Sequence, residues 1–358
     1  MVRLGFMMPS TKANDSDGNQ LSAVAELYHA YFTGLIMTIV TRRSGADAAR
    51  WMEALFRHQH SEKFLSSFEK LGLDELPHAK ACAAYHYLSN RIGGVDVEYM
   101  AESDTKAWVR FPPPRWVFDG TAICAIPSDV SRGMLSGWYA RNGVSLKNPR
   151  LGFVCTSQTV DGQHGLSGYF QEFDADLSPD ERLRFRPGEQ PPRYDEGAAP
   201  ALPEGQWPEE RLAKAKRNYA MEYIRTGLPR MAELFGPVDA AFLGRITGRL
   251  IGAQYYKSLA AKLGVSPGGA EGFAEFMAAL AIGEGDQATI EVASDKAVLT
   301  RSGWRLARGW GTQPPELFEA WNGLWEGALL AHDRHLRLAV TDREDLGDGA
   351  TRWIIKSV

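Results

Sequence analysis

VDVEYMAESDTKAWVRF, residues 95–111, is where the chain changes its period. Before it, apolar residues recur every three or four positions, as on a helix face. Within it, Val95, Val97 and Tyr99 alternate with Asp96, Glu98 and Met100, the pattern of a half-buried strand. Lys106 to Phe111 alternates in the same way, and Glu102-Ser103-Asp104 supplies a turn between the two runs. The stretch reads as a β-hairpin entered from helices. Its counterpart later in the chain is ATIEVASDKAVLTRSGW, residues 288–304.

Working outward, a helix over 46–71 is expected to stop at Gly72, and another to run from near Pro77 to just before Gly93-Gly94. Ala23, Leu27, Ala30 and Leu35 share a stripe of an earlier helix. Residues 9–20, PSTKANDSDGNQ, are polar and turn-rich and read as a mobile arm. Beyond the hairpin, 127–143 reads as a helix with Ser128 as N-cap and Asn142-Gly143 at its end. A strand pair follows at 151–160 and 165–173, turned by Asp161-Gly162. Residues 187–208 are rich in Pro, Gly, Ala and Glu, have no periodicity, and read as a linker. The order of elements then repeats. Helices are expected over 209–235, 239–263 and 270–282, then strands over 288–293 and 297–301. A helix over 316–332 leads to strands over 336–342 and 351–357, with Asp348-Gly349 between them.

Helices leading into antiparallel hairpins make an α+β fold. The repeated order predicts two similar halves forming a pseudo-symmetric tandem duplication. The expected division is an arm over 1–20, an N-terminal domain over 21–186, a linker over 187–208 and a C-terminal domain over 209–358.

A net charge of −4 with interspersed basic and acidic residues argues against a nucleic-acid partner. The apolar run 31–40 is about half the roughly 20 residues a membrane span needs, so no membrane association is expected. The apolar part of MVRLGFMMPS is too short for a signal peptide. Cys82, Cys124 and Cys155 form neither a CxxC pair nor a disulfide framework, and a reducing cytoplasm is the default. No HExxH, GxSxG or Walker sequence occurs. Gly244, Gly248 and Gly252 recur every fourth residue, a sign of close helix packing and not of a phosphate cradle.

Candidate chemistry begins at FRHQHSEKF, residues 56–64. Successive helical residues turn by about 100°, so His58 and His60 point apart and cannot share a metal ion. His58 and Glu62, four residues apart, can form an imidazole–carboxylate pair for acid/base work, or merely decorate a surface turn. His78, Cys82 and His86 share a stripe, but span roughly 12 Å of helix axis, too far for one metal ion. Cys82 suits a small core position. His86, flanked by Tyr85 and Tyr87, can polarise a carbonyl or sit in the core bonded to backbone. Glu98 on the first strand is a candidate base, and Tyr99 a binding residue beside it. Arg132, in the first turn of its helix, can hold a carboxylate. Trp138, on a face with Ser131, Leu135 and Asn142, is a pocket wall or a core residue.

SGWYARNG (136–143) and EAWNGLWEG (319–327), each followed by a strand, an Asp-Gly turn and a last strand, resemble the L-2-amino-thiazoline-4-carboxylic acid hydrolase-like family. Helices leading into a VDVEY-type hairpin fit that pattern, which would occur here twice. The cysteines associated with the family correspond to Cys124 and Cys155. The second half has no cysteine, which under this resemblance makes it a degenerate copy. The resemblance implies hydrolysis of a C–N bond.

The first half holds all three cysteines and six of the eight histidines, so chemistry is expected there. The leading expectation is a cofactor-independent hydrolase, without metal, acting on a small carboxylated or aromatic molecule. His58 with Glu62, or His86 with Tyr85, would be its acid/base group and Arg132 its anion holder. A cofactorless C–C lyase fits the same residues, and a non-catalytic small-molecule binding protein or sensor is the alternative. The expected partner is the small molecule itself, with a homodimer compatible.

Overall fold

The computed structural model describes residues 3–4, 13–113, 125–266, 268–293 and 296–358, with backbone alone at 3–4 and 13–16. The chain forms two compact units. A terminal unit combines Met1–Leu35 with Arg217–Val358, and a middle unit holds Ile36–Lys216. The chain changes unit inside two helices, α1 (Ala13–Arg42) and α6 (Glu209–Phe235).

In the middle unit, α2 (Gly45–Leu71) opens where the Ser44 hydroxyl accepts from the Asp47 amide at 3.0 Å. It closes at Gly72, whose φ of 68° is the left-handed cap geometry. α3 (His78–Ile92) leads into the hairpin β2 (Glu98–Ser103) and β3 (Lys106–Phe111). Then come α4 (Ser128–Gly137), a short turn, and α5 (Asn142–Ser145). β4 (Leu151–Ser157), β5 (Leu166–Glu172) and β6 (Leu183–Phe185) complete a sheet ordered β2-β3-β5-β4-β6. Every residue of β4 is buried, because both faces of the sheet are covered. Tyr139, Phe153 and Phe170 pack on one face, with ring centroids 4.7 to 5.8 Å apart. Met100, Trp108, Val154 and Tyr169 cluster on the other, against Phe173 and Tyr194.

In the terminal unit, α7 (Pro237–Leu263) and α8 (Gly269–Glu284) precede the hairpin β7 (Gln287–Ala293) and β8 (Lys296–Ser302). α9 (Glu316–His332), β9 (Leu336–Asp342) and β10 (Thr351–Ser357) follow. The sheet order is β7-β8-β10-β9, with β1 (Arg3–Leu4) antiparallel to β7 at the edge. The four strands β7-β8-β10-β9 repeat the connectivity of β2-β3-β5-β4. β7 alternates exposed with half-buried residues, so one face of this sheet meets solvent.

The units also share a packing device. A Cβ at Gly133 or Gly137 of α4 would stand 2.4 Å from Ala49 O or 2.5 Å from Glu53 O, on α2. At Gly323 and Gly327 of α9 the same atom would meet Arg245 O at 2.5 Å and Arg249 O at 2.0 Å, on α7. Only glycine lets these backbones touch. Gly244, Gly248 and Gly252 of α7 make the reciprocal approach to α9, as their spacing predicts.

Several expectations are corrected. Residues 13–20, assigned to the arm, are the first turns of α1; acidic residues near a helix start are favoured by its dipole. Residues 1–35, divided by the expected boundaries between arm and N-terminal domain, belong to the terminal unit. The 187–208 segment is more than a spacer: Glu189 Oε2 accepts from Tyr169 OH at 2.9 Å, and Tyr194 OH lies 3.4 Å from Tyr87 OH. An extended Pro-rich segment can cover a sheet without showing any period. The first hairpin turns at 104–105, later than expected, because Glu98 to Ser103 carries the ladder to Lys106. The helix expected over 127–143 breaks after Gly137, so Asn142 opens α5 and caps nothing at its end. Ser128 does not cap α4, whose N-cap is Pro127; its hydroxyl donates to Asp161. Asp17–Arg42, unlike the short run read from sequence, is long and apolar enough by length and composition to cross a membrane. In this structure 72% of its most apolar window is buried within the protein, with Val24, Tyr28, Tyr31 and Leu35 fully enclosed.

Candidate functional site

The sequence-predicted residues all lie in the middle unit, and they do not converge on one place. His58 and Glu62 do pair, Nε2 to Oε1 at 3.3 Å, but both side chains are more than a third exposed. Such a pair contributes little in water. Glu98 is bound across the hairpin to Arg110 at 2.7 Å. Tyr99 packs near Tyr87, ring centroids 6.1 Å apart, and burial pushes its phenol up. Arg132 is exposed and lies over the Phe185 ring at 4.8 Å. Cys155, one of the two cysteines matched to the family resemblance, is buried in β4, where burial pushes its thiol up to about 12. Cys124 lies outside the described residues.

Tyr85, His86 and Trp138 do come together. Tyr85 is 5.3 Å from His86 and 6.2 Å from Trp138, and His86 is 6.3 Å from Trp138. The His86 ring is stacked on Tyr139 at 3.9 Å and on Phe170 at 5.3 Å. Its Nε2 accepts from the Asn142 amide at 3.1 Å. That ring nitrogen is thus engaged within a hydrophobic sandwich, by a side-chain amide and not by the backbone partner expected of a core histidine. The Cys82 thiol is pushed well up by burial, which keeps it unreactive. His78 pairs separately with Asn148 at 3.0 Å.

His60, which the sequence set between Phe56 and Phe64, is buried and stacked on Phe64 at 4.7 Å, edge-on to Trp138 at 5.7 Å. Burial, with the positive charge of Arg141, lowers its pKa to about 4, against a weaker upward pull from Asn142. It is a neutral ring at pH 7. The polar break in α2 therefore has one histidine facing water and one in the core.

The chemically denser region is in the terminal unit. Arg301 of β8 is buried between Glu284, at the end of α8, and Asp286 just beyond it. Its Nε donates to Asp286 Oδ2 at 2.8 Å, and its guanidinium lies 4.9 Å from the Trp321 ring centroid. Tyr28 OH donates to Glu284 Oε1 at 2.9 Å while accepting from Trp321 Nε1 at 2.9 Å. Burial pushes both carboxyls up against the pull of Arg301, with the buried Arg217 a second, more distant positive charge.

This network anchors the loop that follows β8. Asp286 Oδ1 accepts from the Arg305 amide at 2.9 Å. From the other side, Glu344 Oε2 accepts from the amides of Gly303 at 3.0 Å and Trp304 at 3.4 Å. The Trp304 ring packs against Trp321 at 5.0 Å and Phe318 at 5.7 Å. Trp310 stands edge-on to Trp304 at 5.4 Å, and its Nε1 donates to Arg225 O at 2.7 Å. Beside them lies an open cleft of about 480 Å³, whose lining includes Trp304, Trp310 and Phe318 together with Arg308, Glu344 and Asp345. The volume is within the usual range for small-molecule sites. Trp304 Nε1 is buried and has no hydrogen-bond partner among the described residues.

Sequence reasoning missed this cleft. The available signal was SGWRLARGWGTQPPELF, residues 302–318: two tryptophans in a Gly- and Pro-rich loop, where periodicity does not explain aromatic residues. Among the described residues no group of three or more His, Cys, Asp and Glu could hold a metal ion. A scan of protein-family models matches none of them, and no curated protein matches the chain.

Proposed function

We propose that this is a small-molecule binding protein whose ligand occupies the aromatic cleft of the terminal unit. The observation that carries the reading is the cleft itself: Trp310 on a loop tied down on both sides, packed on the buried Trp304, with Arg308, Glu344 and Asp345 in the same lining. Apolar walls with a few placed polar groups are the general form of a ligand site. The acid/base candidates of the middle unit lend less support to C–N hydrolysis or C–C cleavage. His58 with Glu62 is solvated, and His86 is sandwiched with its Nε2 engaged. We further propose that the two units descend from one duplicated sequence. The shared strand connectivity and the matching glycine contacts of α4 on α2 and α9 on α7 support that descent.

Thermal shift against a panel of small aromatic compounds tests the binding reading. A ligand should raise Tm in a concentration-dependent way without being consumed. Trp310→Ala should weaken that ligand at least tenfold. A panel without a single shift, or a ligand that binds Trp310→Ala as well as the wild type, would overturn it.

A further inference from the structure

The edge of the cleft carries opposite charges on different elements. Asp345 is already neutralised by Arg343 at 2.6 Å, and Arg343 also reaches Glu319 at 3.5 Å. Glu344 and Arg308 differ from them: among the described residues neither side chain has an ion-pair partner. Glu344 uses Oε2 for two backbone amides, and among the described residues no donor reaches Oε1. Those amides hold the carboxylate in place, so its second oxygen is a preorganised acceptor. Arg308 is held through its backbone, its amide bonded to Arg305 O and its carbonyl accepting from Arg225 at 3.3 Å. A fixed carboxylate, an arginine and three aromatic rings thus line one cleft.

We propose that the cleft takes a zwitterionic α-amino acid with a planar aromatic side chain. This deepens the binding reading and rests on it. The ring would lie against Trp310, the partly exposed aromatic of the cleft, with the buried Trp304 and Phe318 packed behind it. The ammonium would donate to Glu344 Oε1, and the carboxylate would meet the Arg308 guanidinium, a fork suited to it. Neither charge alone completes the set. An amine leaves Arg308 unmatched, and an acid leaves Glu344 unmatched.

Calorimetric titration of the full chain with L-tryptophan, L-phenylalanine, tryptamine, 3-indolepropionate and indole tests this. Expected is binding of at least one amino acid. Tryptamine and 3-indolepropionate should each bind at least tenfold more weakly than L-tryptophan, or than L-phenylalanine if that is the amino acid bound. Arg308→Ala should remove the advantage over tryptamine. Glu344→Gln, which keeps an acceptor for the two amides, should remove the advantage over 3-indolepropionate. The proposal is overturned if tryptamine or 3-indolepropionate matches the amino acids, or if both charge variants bind them as wild type. It is also overturned if indole binds in a Trp310-dependent way while neither amino acid binds; the cleft would then remain a ligand site of another class. Failure of all five probes overturns it as well, and the thermal-shift panel then decides the binding reading separately.

Discussion

Lowering the pH from 7 to 5 should destabilise this protein partly through one side chain, His60. Its pKa in the folded chain is about 4, against an ordinary value of 6.5. Between those values the unfolded chain binds the proton and the folded chain does not. Stability is therefore fully present above the unfolded pKa and is lost as pH falls toward 4. The difference of about 2.5 pK units corresponds to about 3 kcal/mol in all, of which about 2 kcal/mol is lost by pH 5. His60→Phe isolates this contribution. Phenylalanine has a similar planar shape and can keep the stack on Phe64 and the edge contact with Trp138. Urea unfolding of both proteins at pH 7 and pH 5, followed by far-UV circular dichroism, gives the difference directly. The variant should lose about 2 kcal/mol less than the wild type over that interval, the other titrating groups cancelling. Equal losses, or an imidazole resonance of His60 that titrates near 6.5 in the folded protein, would refute the burial assigned to it.

Other expectations are as direct. Gly327→Ala places a methyl 2.0 Å from Arg249 O and should lower stability by about 2 kcal/mol or more, read as a fall in Tm of the terminal unit. Arg301→Met leaves Glu284 and Asp286 buried without the cation that pairs directly with both, and should cost about 3–5 kcal/mol at pH 7. Because burial raises both acids, the folded state holds their protons more tightly than the unfolded chain, so stability falls as pH rises through their titration. The Arg301→Met deficit should accordingly shrink toward pH 4; a deficit independent of pH in urea melts would contradict the network. His58→Ala should leave Tm nearly unchanged, since its pair with Glu62 is solvated; a drop of several degrees would show that the pair matters to the fold.

The order of helices and hairpins was legible in the chain because each element carries its own period. α6 and α9 begin and end where their patterns do, and Gly72 and Gly162 adopt the positive φ their turn positions called for. Those are local effects, set by neighbours a few residues away. Sequence spacing also separated His58 from His60, since adjacent helical positions diverge. Which of the two faces the core depends on Trp138, brought in by a different helix. The same limit hid the cleft. Trp304, Phe318 and Glu344 belong to a loop, a helix and a turn after β9, and the periodicity of one element carries no information about what a distant one places opposite. Arg301 reads as an ordinary strand residue until Glu284 and Asp286 are folded against it. A charge is recognisable as buried only when the groups that exclude its water are known, and those groups come from the tertiary fold.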